Sequence, residues 1–91
     1  MLELVRTTGF KKDYKKAKKQ KDKNIKELED VILLLMNEIP LDPKKHRPHK
    51  LVGNYSGKWE CHIRFDWVLV YEVINNELVL YGTGSHVELF D

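Results

Sequence analysis

The sequence has a single cysteine, no long apolar run and no low-complexity linker, and these absences exclude several classes of protein. Cys61 has no second cysteine with which to form an internal disulfide, which favours a reducing compartment. No apolar stretch approaches the ~20 residues that a membrane-spanning helix needs. Residues 1–5 also lack the basic start and long apolar segment of a signal peptide. We therefore expect a cytoplasmic protein with no membrane partner.

What is present suffices for one small domain. The 91 residues are 42% hydrophobic and 33% charged, a balance that is typical of globular chains and too apolar for disorder. A chain of this length can enclose one modest core. The sequence therefore predicts a single domain over residues 1–91.

The net charge of +2 conceals two strongly basic segments. Residues 11–26 contain nine lysines against two aspartates, and residues 44–50 add four fixed positive charges. The rest of the chain is correspondingly acidic. Such segregation suggests a polyanionic partner, with nucleic acid as the first candidate, although a solvated lysine-rich helix face accounts equally well for the first segment.

The apolar pattern has a helical period in the first half and a strand period in the second. A short strand near Leu2 precedes a helix that Thr7 or Thr8 can cap. A second helix starts after Asn24 and continues to Ile39, where Pro40 stops it, and residues 41–43 continue as loop. Strands are predicted over residues 58–65, 67–74 and 77–81, with a tight turn at 75–76. The prediction is an α+β fold: an N-terminal helical hairpin packed on a small twisted antiparallel sheet.

Alternation along residues 59–65 separates polar from apolar side chains. Glu60, His62 and Arg64 should share one face of the strand, because successive side chains point to opposite faces. The other face takes the apolar residues Trp59, Cys61, Ile63 and Phe65. A stable fold does not require an acid, a titratable base and a fixed cation on one face, so this combination indicates a functional site.

Two kinds of chemistry fit the sequence poorly. A zinc site would need converging His, Cys or acidic ligands, but His46 and His49 lie among lysines, which repel a cation. Cys61 should face away from His62 and into the core, which also argues against a cysteine nucleophile. We therefore predict no metal and no cofactor.

Metal-free RNA cleavage fits better. A base must take the proton of the ribose 2′-hydroxyl, an acid must protonate the departing 5′-oxygen, and cations must hold the phosphate. Histidine can act as acid or base near neutral pH, and arginine or lysine can supply the charge. The candidate histidines are His49, His62 and His86, and the candidate cations are Arg47, Lys50 and Arg64. For any one of these histidines, a plain surface role remains the simpler explanation.

Three further residues have competing interpretations. Asp66 lies in a predicted turn, where aspartates commonly bond to backbone amides, a use that would not prevent it from orienting a histidine. Trp67 is more simply explained as a core aromatic. Phe90 could stack on the core or on an RNA base.

Three motifs together resemble the YafQ family of bacterial toxins, within the RelE/ParE superfamily of toxin–antitoxin systems. They are His49-Lys50-Leu51-Val52-Gly53, the run from Cys61 to Tyr71 that contains His62, Asp66 and Trp67, and the ending Gly82-Thr83-Gly84-Ser85-His86-Val87-Glu88-Leu89-Phe90. The resemblance implies a RelE-like, microbial RNase-like fold. It also implies a ribosome-dependent mRNA endonuclease that is restrained by a cognate antitoxin and meets operator DNA only through that complex.

The resemblance also implies roles for individual residues. The functional positions of the family fall on His49, His62, Asp66, Trp67, His86 and Phe90. We assign base and phosphate-orienting work to His49 and His62, general-acid work to His86, and control of protonation to Asp66. Trp67 and Phe90 would contact the substrate together with Arg47, Lys50 and Arg64. Four lysines of the first helix should contact ribosomal RNA: Lys15, Lys16, Lys18 and Lys19.

Two other functions stay open. Relatives of the same superfamily, the ParE-like proteins, inhibit DNA gyrase without cutting RNA. The chain could also be a non-catalytic RNA- or ribosome-binding module that uses its lysine-rich helix alone.

Overall fold

Two helices cover one face of a five-stranded sheet in the computed structural model, which describes residues 1–90. The strands are β1 (Glu3–Arg6), β2 (His49–Lys50), β3 (Trp59–Arg64), β4 (Trp67–Ile74) and β5 (Glu77–Gly84). The helices are α1 (Thr8–Lys19), α2 (Ile25–Met36), α3 (Pro43–His46) and α4 (His86–Phe90), with a 3₁₀ turn at Gly53–Tyr55. This arrangement confirms the predicted α+β class.

The direction of one edge strand differs from the prediction. The strand order is β1-β5-β4-β3-β2, and β1 runs parallel to β5, whereas the other neighbouring pairs are antiparallel. The prediction of an antiparallel sheet is therefore confirmed for β2 to β5 and is wrong for β1. Side-chain alternation does not encode strand direction, and β1 is followed by the helices that cover the sheet, a crossover that allows parallel pairing.

The helix starts follow the predicted capping residues. The Thr7 hydroxyl accepts from the Phe10 amide at 3.2 Å, and the Asn24 side chain accepts from the Lys26 amide at 3.1 Å. The second helix ends at Met36, earlier than predicted, because Asn37 caps it and Glu38 adopts a left-handed φ of 57°.

Residues 43–46, which were predicted as loop and basic segment, form the short helix α3. The Asp42 side chain caps it by accepting from the Lys44 amide at 3.0 Å, and Pro43 suits the first helical position. This helix sets the direction in which the chain enters β2.

The core lies between the helices and the helix-facing side of the sheet. Phe10 and Leu28 of the helices are almost fully buried against strand residues such as Leu69, Leu78 and Leu80. Cys61, Ile63 and Trp67 also belong to this core, as alternation predicted for the first two. Phe65, which was assigned to the same face, is instead 90% exposed in the turn after β3.

A bulge in β3 changes which face one predicted site residue occupies. His62 pairs with Val68, but Arg64 pairs with Trp67, so that an extra residue lies between these two pairs. Arg64 therefore shares the helix-facing side with Trp67. The prediction of one polar face is confirmed for Glu60 and His62 and is wrong for Arg64.

The turn between β4 and β5 has the predicted form. Asn75 and Asn76 both have positive φ angles, 51° and 64°, as a primed hairpin turn requires. Among the residues that the structure describes, no helix combines the length and the apolar composition needed to cross a bilayer.

Candidate active site

The sheet register brings three histidines together on the face that the two long helices leave open. His49 of β2 lies directly opposite Glu60 of β3, and His62 follows two residues later on the same side. His86 begins α4, just after β5 ends beside β4. The predicted convergence of His49, His62 and His86 is therefore present in the structure.

A buried carboxylate lies at the centre of this cluster. One oxygen of Glu60, Oε1, is 2.8 Å from Nε2 of His86, 3.5 Å from Nε2 of His62 and 3.8 Å from Nε2 of His49. The Glu60 residue is only 3% exposed. Because a buried charge is costly without partners, the nearby ring nitrogens of His86 and His62 are what stabilises this carboxylate. Glu60 was not among the predicted site residues, although its alternation with His62 placed it on the correct face.

His86 is held between two carboxylates. Its Nδ1 lies 3.4 Å from Oδ1 of Asp66, and its backbone amide donates to the same oxygen at 3.3 Å. Carboxylate oxygens accept hydrogen bonds, so a carboxylate at each ring nitrogen favours the cationic form of His86, in which both nitrogens donate. The Glu60 hydrogen bond raises the pKa of His86 above the ordinary histidine range, with a smaller contribution from Asp66, while burial works in the opposite direction.

His62 is fixed by two neighbours from the preceding loop. Nδ1 of the buried His46 donates to the His62 carbonyl oxygen at 2.7 Å. The Arg47 guanidinium contacts Nδ1 of the His62 ring at 3.2 Å. His46 was set aside in the sequence because it lies among lysines; in the structure it supports the strand backbone that carries His62.

Phe90 lies at the edge of the cluster. Its ring centre is 5.9 Å from that of His86 and 5.1 Å from that of Tyr55, which it meets edge to face. The Tyr55 hydroxyl also donates to the Leu89 carbonyl at 3.4 Å. The 3₁₀ turn thereby supports α4, an element that sequence periodicity did not reveal.

Three predicted substrate contacts lie elsewhere. Trp67 is 3% exposed in the core and donates from its indole to the Thr83 hydroxyl at 2.9 Å. Lys50 extends over the ring of Trp59 at 5.9 Å, on the opposite side of β2 from His49. Arg64 forms a two-point ion pair with Glu27 of α2, at 2.6 and 2.5 Å. In this conformation these side chains stabilise the fold and do not face the histidines.

A cleft of about 870 Å³ adjoins the cluster and shares His62 with it. The lysines and Arg47 at the end of α3 line one side of the cleft, and Glu27, Asp30 and Arg64 line another. Arg47 connects this cleft to the histidines, because its guanidinium contacts the His62 ring.

The predicted ribosome-facing lysines lie on the exposed side of α1. Lys15, Lys18 and Lys19 are exposed, whereas the Lys16 ammonium pairs with Glu88 of α4 at 2.5 Å. This pairing lowers the pKa of Glu88 to about 2 and ties the first helix to the helix that carries His86. Lys16 therefore has an acidic partner that its own segment did not reveal.

The cluster also has the composition of a metal site. Glu60, His62 and His86 offer one ligand atom each, and these atoms lie within 4.8 Å of one another. The prediction of no metal was based on His46, His49 and Cys61, and none of these residues belongs to this group. Cys61 lies in the core, as predicted, and is poorly suited to act as a nucleophile, because it is fully buried and burial raises the pKa of its thiol to about 12.

The fold is shared with bacterial toxins of known structure. A copper-bound mutant toxin from Helicobacter pylori is 41% identical, covers 99% of this chain and 100% of its own, and superimposes with a TM-score of 0.91. The toxin chain of the Escherichia coli DinJ–YafQ toxin–antitoxin complex is 29% identical, with 99% and 98% coverage and a TM-score of 0.88. Such toxins form the class to which the architecture and the sheet-face cluster point.

Sequence comparison specifies the family. Residues 2–91 match the family described as the bacterial toxin of the type II toxin–antitoxin system, YafQ. The chain is also similar to the mRNA interferase toxin YafQ of Escherichia coli K12, with 34% identity over 82 residues, 89% of this chain and 87% of the relative. The chain belongs to the YafQ family of type II toxins, as the sequence motifs predicted.

Removing the charge of Glu60 tests the electrostatics of the cluster. In Glu60→Gln, the pKa of His86 should fall, because its strongest acceptor becomes neutral; an NMR titration of the His86 ring measures this directly. In the wild type, the folded state binds this proton more tightly than the unfolded chain. The contribution of the pair to stability is therefore complete below the ordinary histidine pKa and is lost as the pH rises through the raised value.

Glu77→Gln is the matched control for that variant. It makes the same chemical change at the opposite end of β5 from the cluster. An unchanged His86 titration in both variants would show that Glu60 does not control its protonation.

Proposed function

We propose that this chain is a ribosome-dependent, metal-independent mRNA endoribonuclease that inhibits translation in the cytoplasm as the toxin of its system. The observation that supports the proposal most strongly is the convergence of three histidines on the buried Glu60, beside Asp66 and a basic cleft. The Escherichia coli relative named an mRNA interferase supports the same activity class.

The three histidines can divide the chemistry of 2′-hydroxyl attack. His86, protonated between Glu60 and Asp66, is the general acid that gives its proton to the departing 5′-oxygen. His49, 52% exposed, is the base that takes the 2′-hydroxyl proton. The 2′-oxygen then bonds to phosphorus as the bond to the 5′-oxygen breaks, which leaves a cyclic phosphate.

Charge on the reacting phosphate is held from one side of the cluster. His62 can donate to a non-bridging phosphate oxygen, and the Arg47 guanidinium beside its ring adds positive charge on that side of the cluster. Phe90, beside His86, offers an aromatic surface on which a base next to the scissile bond can stack.

Single histidine substitutions test the catalytic assignment. His49→Ala, His62→Ala and His86→Ala should each slow cleavage of ribosome-bound mRNA by on the order of 100- to 10,000-fold, the usual contribution of a positioned acid or base. Primer extension on a translated mRNA, in a single-turnover time course, measures the rate. Glu3→Ala, an exposed change in β1 at the opposite edge of the sheet from β2, controls for general disturbance.

The same assay separates the alternative functions. Unchanged cleavage in all three variants would overturn the proposal. Growth arrest with intact mRNA and an SOS response would indicate a gyrase inhibitor, and ribosome binding without cleavage would indicate a non-catalytic module.

The exposed lysines of α1 are proposed to dock the enzyme on ribosomal RNA. Lys15, Lys18 and Lys19 present uncompensated charge on the helix that Lys16 ties to α4. Contacts of lysine with RNA phosphates release counterions, so this binding should weaken as salt increases.

Reversing these charges tests the docking surface. The triple variant Lys15→Glu, Lys18→Glu, Lys19→Glu should bind ribosomes much more weakly at physiological salt, and the slope of log K against log salt should shrink by roughly 0.7 to 0.9 for each lost contact. Sedimentation with ribosomes over a range of salt gives both quantities. The corresponding triple arginine variant keeps the charge and should bind normally; equal binding by the glutamate variant would show that these lysines are only solvated surface.

A cognate antitoxin is the proposed regulator, because the Escherichia coli relative was solved in complex with the antitoxin DinJ. Operator DNA would be reached only through that complex. Co-expression of the antitoxin should restore growth of cells that produce this chain, and the pair should co-purify; failure of both would contradict this partnership.

A transition metal is proposed as an inhibitor of this nuclease. The Helicobacter pylori relative is copper-bound, and Glu60, His62 and His86 would hold such an ion here. A bound ion would displace the protons from the ring nitrogens of His62 and His86, so the proposed general acid would have no proton to give. Copper should therefore inhibit cleavage, and a chelator should restore it to the metal-free rate; activation by copper, or no effect at saturation, would contradict the proposal.

A further inference from the structure

Arg47 lies between two of the proposed catalytic histidines. It ends α3 in a left-handed conformation, with φ of 41°, and its amide donates to the Pro43 carbonyl at 3.2 Å. A left-handed φ is uncommon for a residue other than glycine. In this conformation, the side chain of Arg47 contacts His62 and its carbonyl contacts His49.

The side-chain contact determines where His62 can carry its proton. Nη2 of Arg47 is 3.2 Å from Nδ1 of His62. A guanidinium has five donors and no acceptor, so Nδ1 must be the acceptor and must be unprotonated. Neutral His62 then carries its hydrogen on Nε2, the nitrogen that is 3.5 Å from Glu60 Oε1.

The backbone contact imposes the opposite state on His49. Nδ1 of His49 is 3.1 Å from the Arg47 carbonyl oxygen. A carbonyl only accepts hydrogen bonds, so this nitrogen must carry the hydrogen. Neutral His49 therefore has its lone pair on Nε2, the nitrogen that faces the cluster.

We propose that Arg47 is a positioning residue that sets opposite tautomers on His49 and His62, and thereby decides which of them can act as the base. His49 presents a lone pair and can accept the 2′-hydroxyl proton, whereas His62 presents an N–H and can donate to the phosphate. This inference rests on the proposed nuclease function for its consequence, but the tautomers themselves are a property of the free protein. The sequence assigned base and phosphate-orienting work jointly to His49 and His62; the proposed tautomers assign the first role to His49 and the second to His62.

The tautomers can be measured without RNA. Long-range ¹H–¹⁵N correlation spectra of the free toxin, recorded over a pH series that includes the neutral form of each ring, report which ring nitrogen carries hydrogen. We expect hydrogen on Nε2 of His62 and on Nδ1 of His49. Hydrogen on Nδ1 of His62 in the wild type would overturn the inference, whatever any variant shows.

Arg47→Met isolates the guanidinium, because it removes the donor and keeps a long side chain and the backbone carbonyl. His62 should become a mixture of both tautomers, while His49 should keep its state, since its partner is the unchanged carbonyl. Arg64→Met, which removes a guanidinium on the other side of the bulge, should leave both rings as in the wild type. An unaltered His62 tautomer in a folded Arg47→Met protein would contradict the proposal.

Kinetics distinguish positioning from substrate binding. Arg47→Met should lower kcat for cleavage of ribosome-bound mRNA by about tenfold with little change in KM, whereas loss of a ground-state phosphate contact would mainly raise KM. If the tautomers are as stated but the histidine variants cleave normally, the nuclease proposal fails and the tautomer assignment survives. If the histidine variants are inactive but His62 carries its hydrogen on Nδ1, the nuclease proposal survives and the tautomer assignment fails.

Discussion

The buried carboxylate of Glu60 is the interaction on which the site depends. A side chain with 3% exposure would be expensive to ionise alone, yet three imidazoles from three separate elements approach the same oxygen. The cluster therefore joins β2, β3 and the start of α4 at one point. Asp66 contacts the remaining ring nitrogen of His86, so the imidazole with two carboxylate partners is also the one whose pKa is raised.

The two faces of the sheet have different roles, one structural and one in the candidate active site. One face of the sheet packs against α1 and α2 and contains only structural groups, including Trp67 and Cys61. The other face carries Glu60 and the three histidines. The bulge between His62 and Arg64 marks the division, because it sends the histidine to one side and the arginine to the other. Arg64 then stabilises the attachment of α2 through Glu27.

Much of this arrangement follows from patterns in the sequence. Apolar spacing located α1, α2 and the central strands, the Asn75-Asn76 pair located the hairpin, and polar alternation placed Glu60 beside His62. Family motifs identified His49, His86 and Asp66, which lie far apart in the chain. The bulge was not predictable, because one inserted residue leaves no periodic signal. For this reason the predicted face of Arg64 was wrong.

Other features depend on contacts that only the folded chain creates. In the sequence, His46 is one of several residues of a basic segment. Only the folded helix α3 places its ring against the His62 carbonyl. The proposed tautomers require the left-handed conformation of Arg47. The sequence does not predict this conformation, because residue 47 is neither glycine nor asparagine. The pairing of Lys16 with Glu88 likewise joins segments that are 72 residues apart.

The central claim is that His86 is the general acid and His49 the base, and it can be tested at the leaving group. An mRNA in which sulfur replaces the 5′-oxygen of the scissile bond needs no protonation on departure. The account predicts that this substrate restores cleavage by His86→Ala close to the wild-type rate while His49→Ala stays slow. Equal defects of the two variants on the sulfur substrate, or rescue of His49→Ala instead, would contradict the assignment.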